Sequence, residues 1–84
     1  SEALEGAWKQ SIGDEKELIQ GLILVAAALV HYQKDENTIC LSVLGRALKK
    51  LQSKSGEYYQ INVDRVKQKT IEMLDKKEIF TFTF

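Results

Sequence analysis

Few side chains in this sequence could do chemistry, and they are scattered. Glu5, His31 and Cys40 are the titratable or nucleophilic residues whose surroundings set them apart, with Trp8 and Gln20 beside the first two in the helical pattern. A carboxylate and an imidazole can together hold a divalent ion or relay a proton, so Glu5 with His31 is the pair to weigh. Each also has a plainer account. Glu5 can be an ordinary helix carboxylate hydrogen-bonded to Trp8 or Gln20, and a histidine near a helix C-terminus is explained by the dipole and a neighbouring carboxylate. Gln20 and His31 share a helical-wheel face, but eleven residues at about 1.5 Å each put them roughly 16 Å apart, too far for one small site. Cys40 falls within an apolar stripe with no second Cys or His near it in sequence, so packing is its expected role. Trp8 is expected to anchor apolar surface while its indole N–H seeks an acceptor. Glycine-rich phosphate loops, nucleophile elbows and zinc-ligand clusters are absent from the sequence. No catalytic residue is assigned and no cofactor is expected; a divalent metal ion at Glu5 and His31 is the alternative.

The elements that must position these residues follow from periodicity and punctuation. In "SEALEGAWKQ", Leu4 and Trp8 sit four apart on one helical face. A helical pattern running from the first residue suggests that sequence precedes Ser1. "SIGD" then reads as a break, with Asp14 and Glu17 as a capping box for a second helix over about Glu15–Gln33. Apolar residues cover most of that helix, which argues for a central position touched on several sides. Gly21 and Ala26–Ala28 are small enough to let neighbouring helices approach. A polar turn, "QKDEN", offers Asp35 or Asn37 as the cap of a third helix over about Thr38–Gln52, whose stripe runs from Ile39 to Leu51. The short connection makes these two an antiparallel hairpin. "SKSGEYYQIN" reads as a loop with Gly56 in the left-handed region and Tyr58 and Tyr59 closing over the bundle. Asn62 caps a fourth helix over about Val63–Lys76, burying Val63, Val66, Thr70, Met73 and Leu74. The last residues, Ile79–Phe84, alternate with period two, Phe80, Phe82 and Phe84 facing one way; such a lone strand docks on the helices, pairs with another chain or stays loose. The expected fold is all-α: a small four-helix bundle with a short first helix, a central apolar second helix and an extended C-terminal tail, in a single domain over residues 1–84.

Four segments together resemble a known family. "EALEGAW", "LIQGLILVAAALVHY", "LGRALKKL" and "YYQINVDRV" look like the small helical family catalogued as domain of unknown function three-zero-nine, over Glu2 to about Leu74. The resemblance implies a compact all-helical bundle, and no enzymatic activity is established for the family. Its hallmark is His, three residues, Glu, two residues, Trp, which has been suggested to bind metal. Glu5 and Trp8 match that motif, while Ser1 holds the histidine position. His and Glu four apart on a helix project from the same face and could ligate one ion. Without the imidazole, a single carboxylate is a poor anchor for a transition metal. Gln20 and Gly21 belong to the most specific segment of the resemblance.

Composition narrows the function classes. With 84 residues the chain buries only about 60–65% of its unfolded surface, so its core is small. The absence of proline and the single cysteine suit a helical chain in a reducing cytosol, and a cytoplasmic location is expected. Formal net charge is zero, which argues against dedicated nucleic-acid binding. Residues 1–42 hold three basic and seven acidic side chains and residues 43–84 hold nine and five. This asymmetry either solvates different helix faces or steers a partner. The uninterrupted apolar run Leu22–Val30 is nine residues, against about 18–20 for a spanning helix, so no membrane partner is expected. The sequence thus points to an interaction or assembly module rather than an enzyme, with a homodimer or an unidentified protein as partner. A metal-binding or metal-dependent hydrolase-like domain using the Glu5 region is the alternative. A helical-repeat scaffold is a weaker one, for want of a second repeat copy.

Overall fold

A computed structural model describes residues 1–84. Three helices and one small hairpin make up the chain: α1 (Glu2–Gln33), α2 (Asn37–Leu51), β1 (Glu57–Tyr58), β2 (Ile61–Asn62) and α3 (Val63–Lys76). The fold is mainly helical, but it is not a four-helix bundle. The first and second predicted helices are one continuous helix of 32 residues. "SIGD" fails as a break because nothing in it forbids the helix. It lacks proline, and an interior glycine costs only about 1 kcal/mol relative to alanine. Asp14 does not cap a helix; its carboxylate and that of Glu17 lie 3.4 and 3.2 Å from the Lys54 ammonium. The helix is capped instead by Ser1, whose Oγ accepts from the Leu4 N–H.

At about 1.5 Å per residue α1 is roughly 48 Å long, and it sets the 51 Å long axis of a molecule only 21 by 20 Å across. Helix α2 returns along the C-terminal half of α1, as expected for an antiparallel hairpin. Their close approach depends on Gly21, where a Cβ would lie 2.6 Å from Leu51 Cδ2 and 3.2 Å from Lys50 Cβ. The core is built from Leu22, Val25 and Leu29 of α1, Cys40, Leu44 and Leu51 of α2, and Val66 and Met73 of α3. Thr70 joins it with its hydroxyl donating to the Val66 carbonyl at 2.8 Å. Val63 is buried as expected, whereas Leu74 is half-buried and Ile39 is exposed.

The connections are tied down by polar contacts. Neither Asp35 nor Asn37 caps α2: Asp35 takes a left-handed conformation, and Glu36 holds the cap position with its carboxylate turned back to His31 Nδ1 at 3.1 Å. Asn62 caps α3 as expected, accepting from the Arg65 N–H at 3.0 Å. Lys67 donates to the carbonyls of Gln52 and Lys54 at 3.1 and 2.6 Å, joining α3 to the chain just past α2. Gly56 is left-handed, φ 83°, and its N–H donates to Asp64. Between Gly56 and α3 the expected loop is a tight antiparallel hairpin, Glu57 opposite Asn62 and Tyr58 opposite Ile61. Its turn residues Tyr59 and Gln60 both have positive φ, 47° and 68°. That turn normally selects Asn-Gly, and the lack of this pair hid the hairpin.

The tail docks on the helices. Ile79, Phe80 and Phe82 are half-buried against the core, and the three phenylalanine rings follow one another at 6.3 and 5.9 Å. Arg65 and Lys69 of α3 lie over the Phe82 and Phe80 rings, and Arg65 also donates to the Thr83 carbonyl. Backbone and cation–π contacts therefore fix a segment too short to be stable alone.

Candidate functional site

One side of α1 stays open along most of its length. Leu4, Trp8, Ile12, Ile19, Ile23 and Val30 are all exposed. At 100° per residue these positions and Ala26 fall within a band about 100° wide, an apolar stripe running the length of the helix. The exposures are large: 73% for Leu4, 64% for Trp8 and 60% for Ile23. Every residue from Ser1 to Lys16 is exposed, so the first half of α1 is an arm tied to the body only near its end, where Asp14 meets Lys54 and Glu15 accepts from Tyr58. The expectation of a central helix touched on several sides is corrected accordingly. Only the face carrying Gly21, Leu22, Val25, Ala28 and Leu29 is buried.

Beside the body, the stripe deepens into a groove of about 290 Å³, wholly apolar in its lining. Ile19, Ile23 and Ala26 form the α1 side, and Tyr58, Tyr59 and Phe84 the other. Ala26, lacking a long side chain, leaves the space. Tyr59 stands in an unfavourable left-handed conformation with 84% of its surface in solvent and packs edge-on against Tyr58 at 4.8 Å. A strained, exposed aromatic at the lip of an apolar groove is the kind of local cost that functional surfaces retain. A second, polar depression of about 300 Å³ adjoins it, sharing Ile23 and lined by Gln20, Leu24, Arg46 and Lys50.

Carboxylates of α1 hold the hairpin wall in place. The Tyr58 hydroxyl donates to Glu15 Oε1 at 2.7 Å, and this bond, with loss of solvent and the nearby carboxylate charge, pushes the phenol up to about 12. Burial of the Lys54 ammonium disfavours its charge, but Glu17 and Asp14 outweigh that and hold its pKa above the usual lysine value. Because the folded-state pKa of Tyr58 is raised above the ordinary value of about 10, its contribution to stability is full below about pH 10 and lost as pH rises through about 12. Tyr58→Phe is expected to melt below the native chain at pH 8–9, with the gap closing as pH approaches 12, and to remove the last-ionising phenol from an ultraviolet titration.

The residues singled out from sequence do not converge. Glu5 and His31 lie on the same helix, 26 residues or roughly 39 Å apart, so within one chain they cannot share an ion. Glu5 sits one turn from Ser1, whose hydroxyl is committed to the helix cap. One carboxylate and a capping serine are a poor donor set for the metal that the motif suggests, and no three His, Cys, Asp or Glu side chains come together. His31 pairs with Glu36 at the end of α1. Gln20 lines the polar depression, Gly21 is the contact point of α1 and α2, and Trp8 is exposed on the arm. Cys40 is fully buried, and burial raises its thiol above the ordinary range, so it is an inert core residue. The stripe is hidden in the sequence by the apparent break at "SIGD" and is legible as the spacing 4, 8, 12, 19, 23, 26, 30 once the helix is drawn unbroken.

No helix is long and apolar enough to cross a membrane. No curated protein and no solved structure matches the chain. A family model described as Domain of unknown function (DUF309) matches residues 2–43, which is α1, the turn and the first half of α2, a shorter span than the sequence resemblance. With half of its 84 residues matched, all of the exposed stripe among them, the chain belongs to that family.

Proposed function

We infer that this domain is an interaction or assembly module, and that its docking surface is the stripe of α1 together with the Tyr59 groove. The observation that carries this reading is a mainly apolar band on one helix, from Leu4 to Val30, whose large side chains all stay exposed. The exposed side chains of the stripe, with Tyr59 and Phe84, present on the order of 800–1,000 Å² of surface, against the roughly 300–600 Å² of the largest patch on an ordinary monomer. A helical arm of about 15 residues is marginal in water without packing, which also favours a partner. A cytosolic protein is the natural partner for such a face, and a homodimer, expected from the small core, is one form that assembly takes. A photo-crosslinking side chain at Ile12 or Ile23 is expected to capture protein in the producing cells, while the same group at Gln10, on the opposite side of the arm, captures none. Equal yields at these positions, or none at Ile12 and Ile23, would overturn the reading.

A further inference from the structure

We propose that the occupant of the groove is the arm of a second copy of this chain, laid antiparallel so that each arm supplies the fourth helix its partner's bundle lacks. The inference rests on the docking reading above and names its partner.

Three observations carry it. The first is register. The stripe is self-complementary when α1 is paired with itself about a two-fold axis near residue 17, an isologous arrangement. Leu4 then faces the partner's Val30, Trp8 faces the partner's Ala26, and Ile12 falls level with the partner's Leu22, beside the exposed Ile23. The largest side chain of the arm thus meets the smallest residue of the stripe, which lines the apolar groove. Two polar residues, Glu5 and Glu15, fall on the seam: Glu5 lies at its edge near the end of the arm, and Glu15, opposite the partner's Ile19, is already engaged by Tyr58. The second is charge. Residues 1–17 carry two basic and five acidic side chains, a net of −3, so the remaining 67 residues carry +3. Arg46, Lys49 and Lys50 of the body lie beside the groove, sharing depressions with Ile23 and Glu17. An acidic arm against a basic body favours head-to-tail contact over arm-to-arm contact. The third is area. The exposed apolar surface, on the order of 800–1,000 Å² per chain, matches the roughly 800 Å² that each partner contributes to a stable interface. The pairing covers both arms at once and leaves no stripe open, whereas a parallel pair would stack two acidic arms and leave both grooves unfilled.

Size-exclusion chromatography with light scattering on the 84-residue chain, from about 5 to 200 µM, is expected to give twice the 9.6 kDa of one chain. Ile23→Asp, an exposed position, is expected to weaken association at least roughly 30-fold with an unchanged circular dichroism spectrum. Orientation is read by disulfide trapping in chains that retain the buried Cys40. Leu4→Cys with Val30→Cys in one chain is expected to form covalent dimers under mild oxidation, and Leu4→Cys alone to form none. A monomer at every concentration overturns the inference, including one whose arm has folded back onto its own body. Rapid trapping of the single Leu4→Cys variant overturns it too, since that demands parallel arms, as does a dimer that Ile23→Asp leaves intact. A monomer that still crosslinks from Ile12 in cells refutes the second copy alone and preserves the docking reading; a monomer that does not refutes both.

Discussion

Gly21→Val should remove about 3 kcal/mol of folding stability, and Gly21→Ala about 1–2 kcal/mol. Alanine in a helix interior ordinarily gains about 1 kcal/mol over glycine. Here the new Cβ would lie 2.6 and 2.7 Å from Leu51 Cδ2 and Cγ, and Leu51 is fully buried, so any shift it makes disturbs the packed core. The gain in propensity is therefore outweighed by the separation forced between α1 and α2. For a chain of this size, total stability on the order of 4–12 kcal/mol makes either loss conspicuous. The steric origin has its own signature. Leu51→Ala alone leaves a cavity and costs about 2–5 kcal/mol. In the Gly21→Ala background the same truncation removes the atoms that clash, so the double variant should be more stable than the sum of the singles by about 1–2 kcal/mol. Urea denaturation of the four chains closes the cycle. Strict additivity would show that Gly21 is not the contact point.

The second large effect falls on association and spares the fold. Leu4, Trp8 and Ile12 are exposed on the arm ahead of Asp14 and Glu15, which bond to the body, so replacing all three with serine should leave the thermal midpoint of dilute protein within a few degrees of the native value. The same triple change removes one side of the proposed interface from each chain. It should weaken association by at least two to three orders of magnitude, hot-spot aromatics alone being worth about tenfold or more. Concentration-dependent melting separates the two readouts, because a chain stabilised by its partner melts higher as concentration rises. The native chain should show that rise and the triple variant should not.

Sequence and structure agree where one periodic signal acted alone. Predicted Thr38–Gln52 became Asn37–Leu51, and Val63–Lys76 was matched at both ends, because each has an uninterrupted stripe, and Asn62 caps the latter with its side chain. The departures have a common cause, local signals overridden by long-range contacts. Asp14 and Glu17 have the spacing of a capping box, yet Lys54, some forty residues away, takes both carboxylates and the helix runs on. Glu36 turns to His31 and leaves α2 without a side-chain cap. Tyr59-Gln60 carries no hairpin signature, and its left-handed turn is held by strand pairing and by the bond from Tyr58 to Glu15. One misjudged break changed the architecture from four helices to three, and with it the meaning of the apolar α1 sequence, which is half core and half open surface. The metal idea rested on the family's motif, in which Ser1 holds the histidine position and here caps the helix. Its proposed second member, His31, lies roughly 39 Å from Glu5 along one continuous helix.

Amide hydrogen exchange along Glu2–Lys16 tests most directly whether this stripe is a docking surface. The arm ahead of Asp14 and Glu15 is exposed at every residue, so the amides there should be protected at concentrations where the protein is associated and should exchange nearly as fast as a free peptide on dilution, while α2 and α3 stay protected throughout. Free-peptide exchange of the arm at every concentration and with every cellular partner added back would contradict the account.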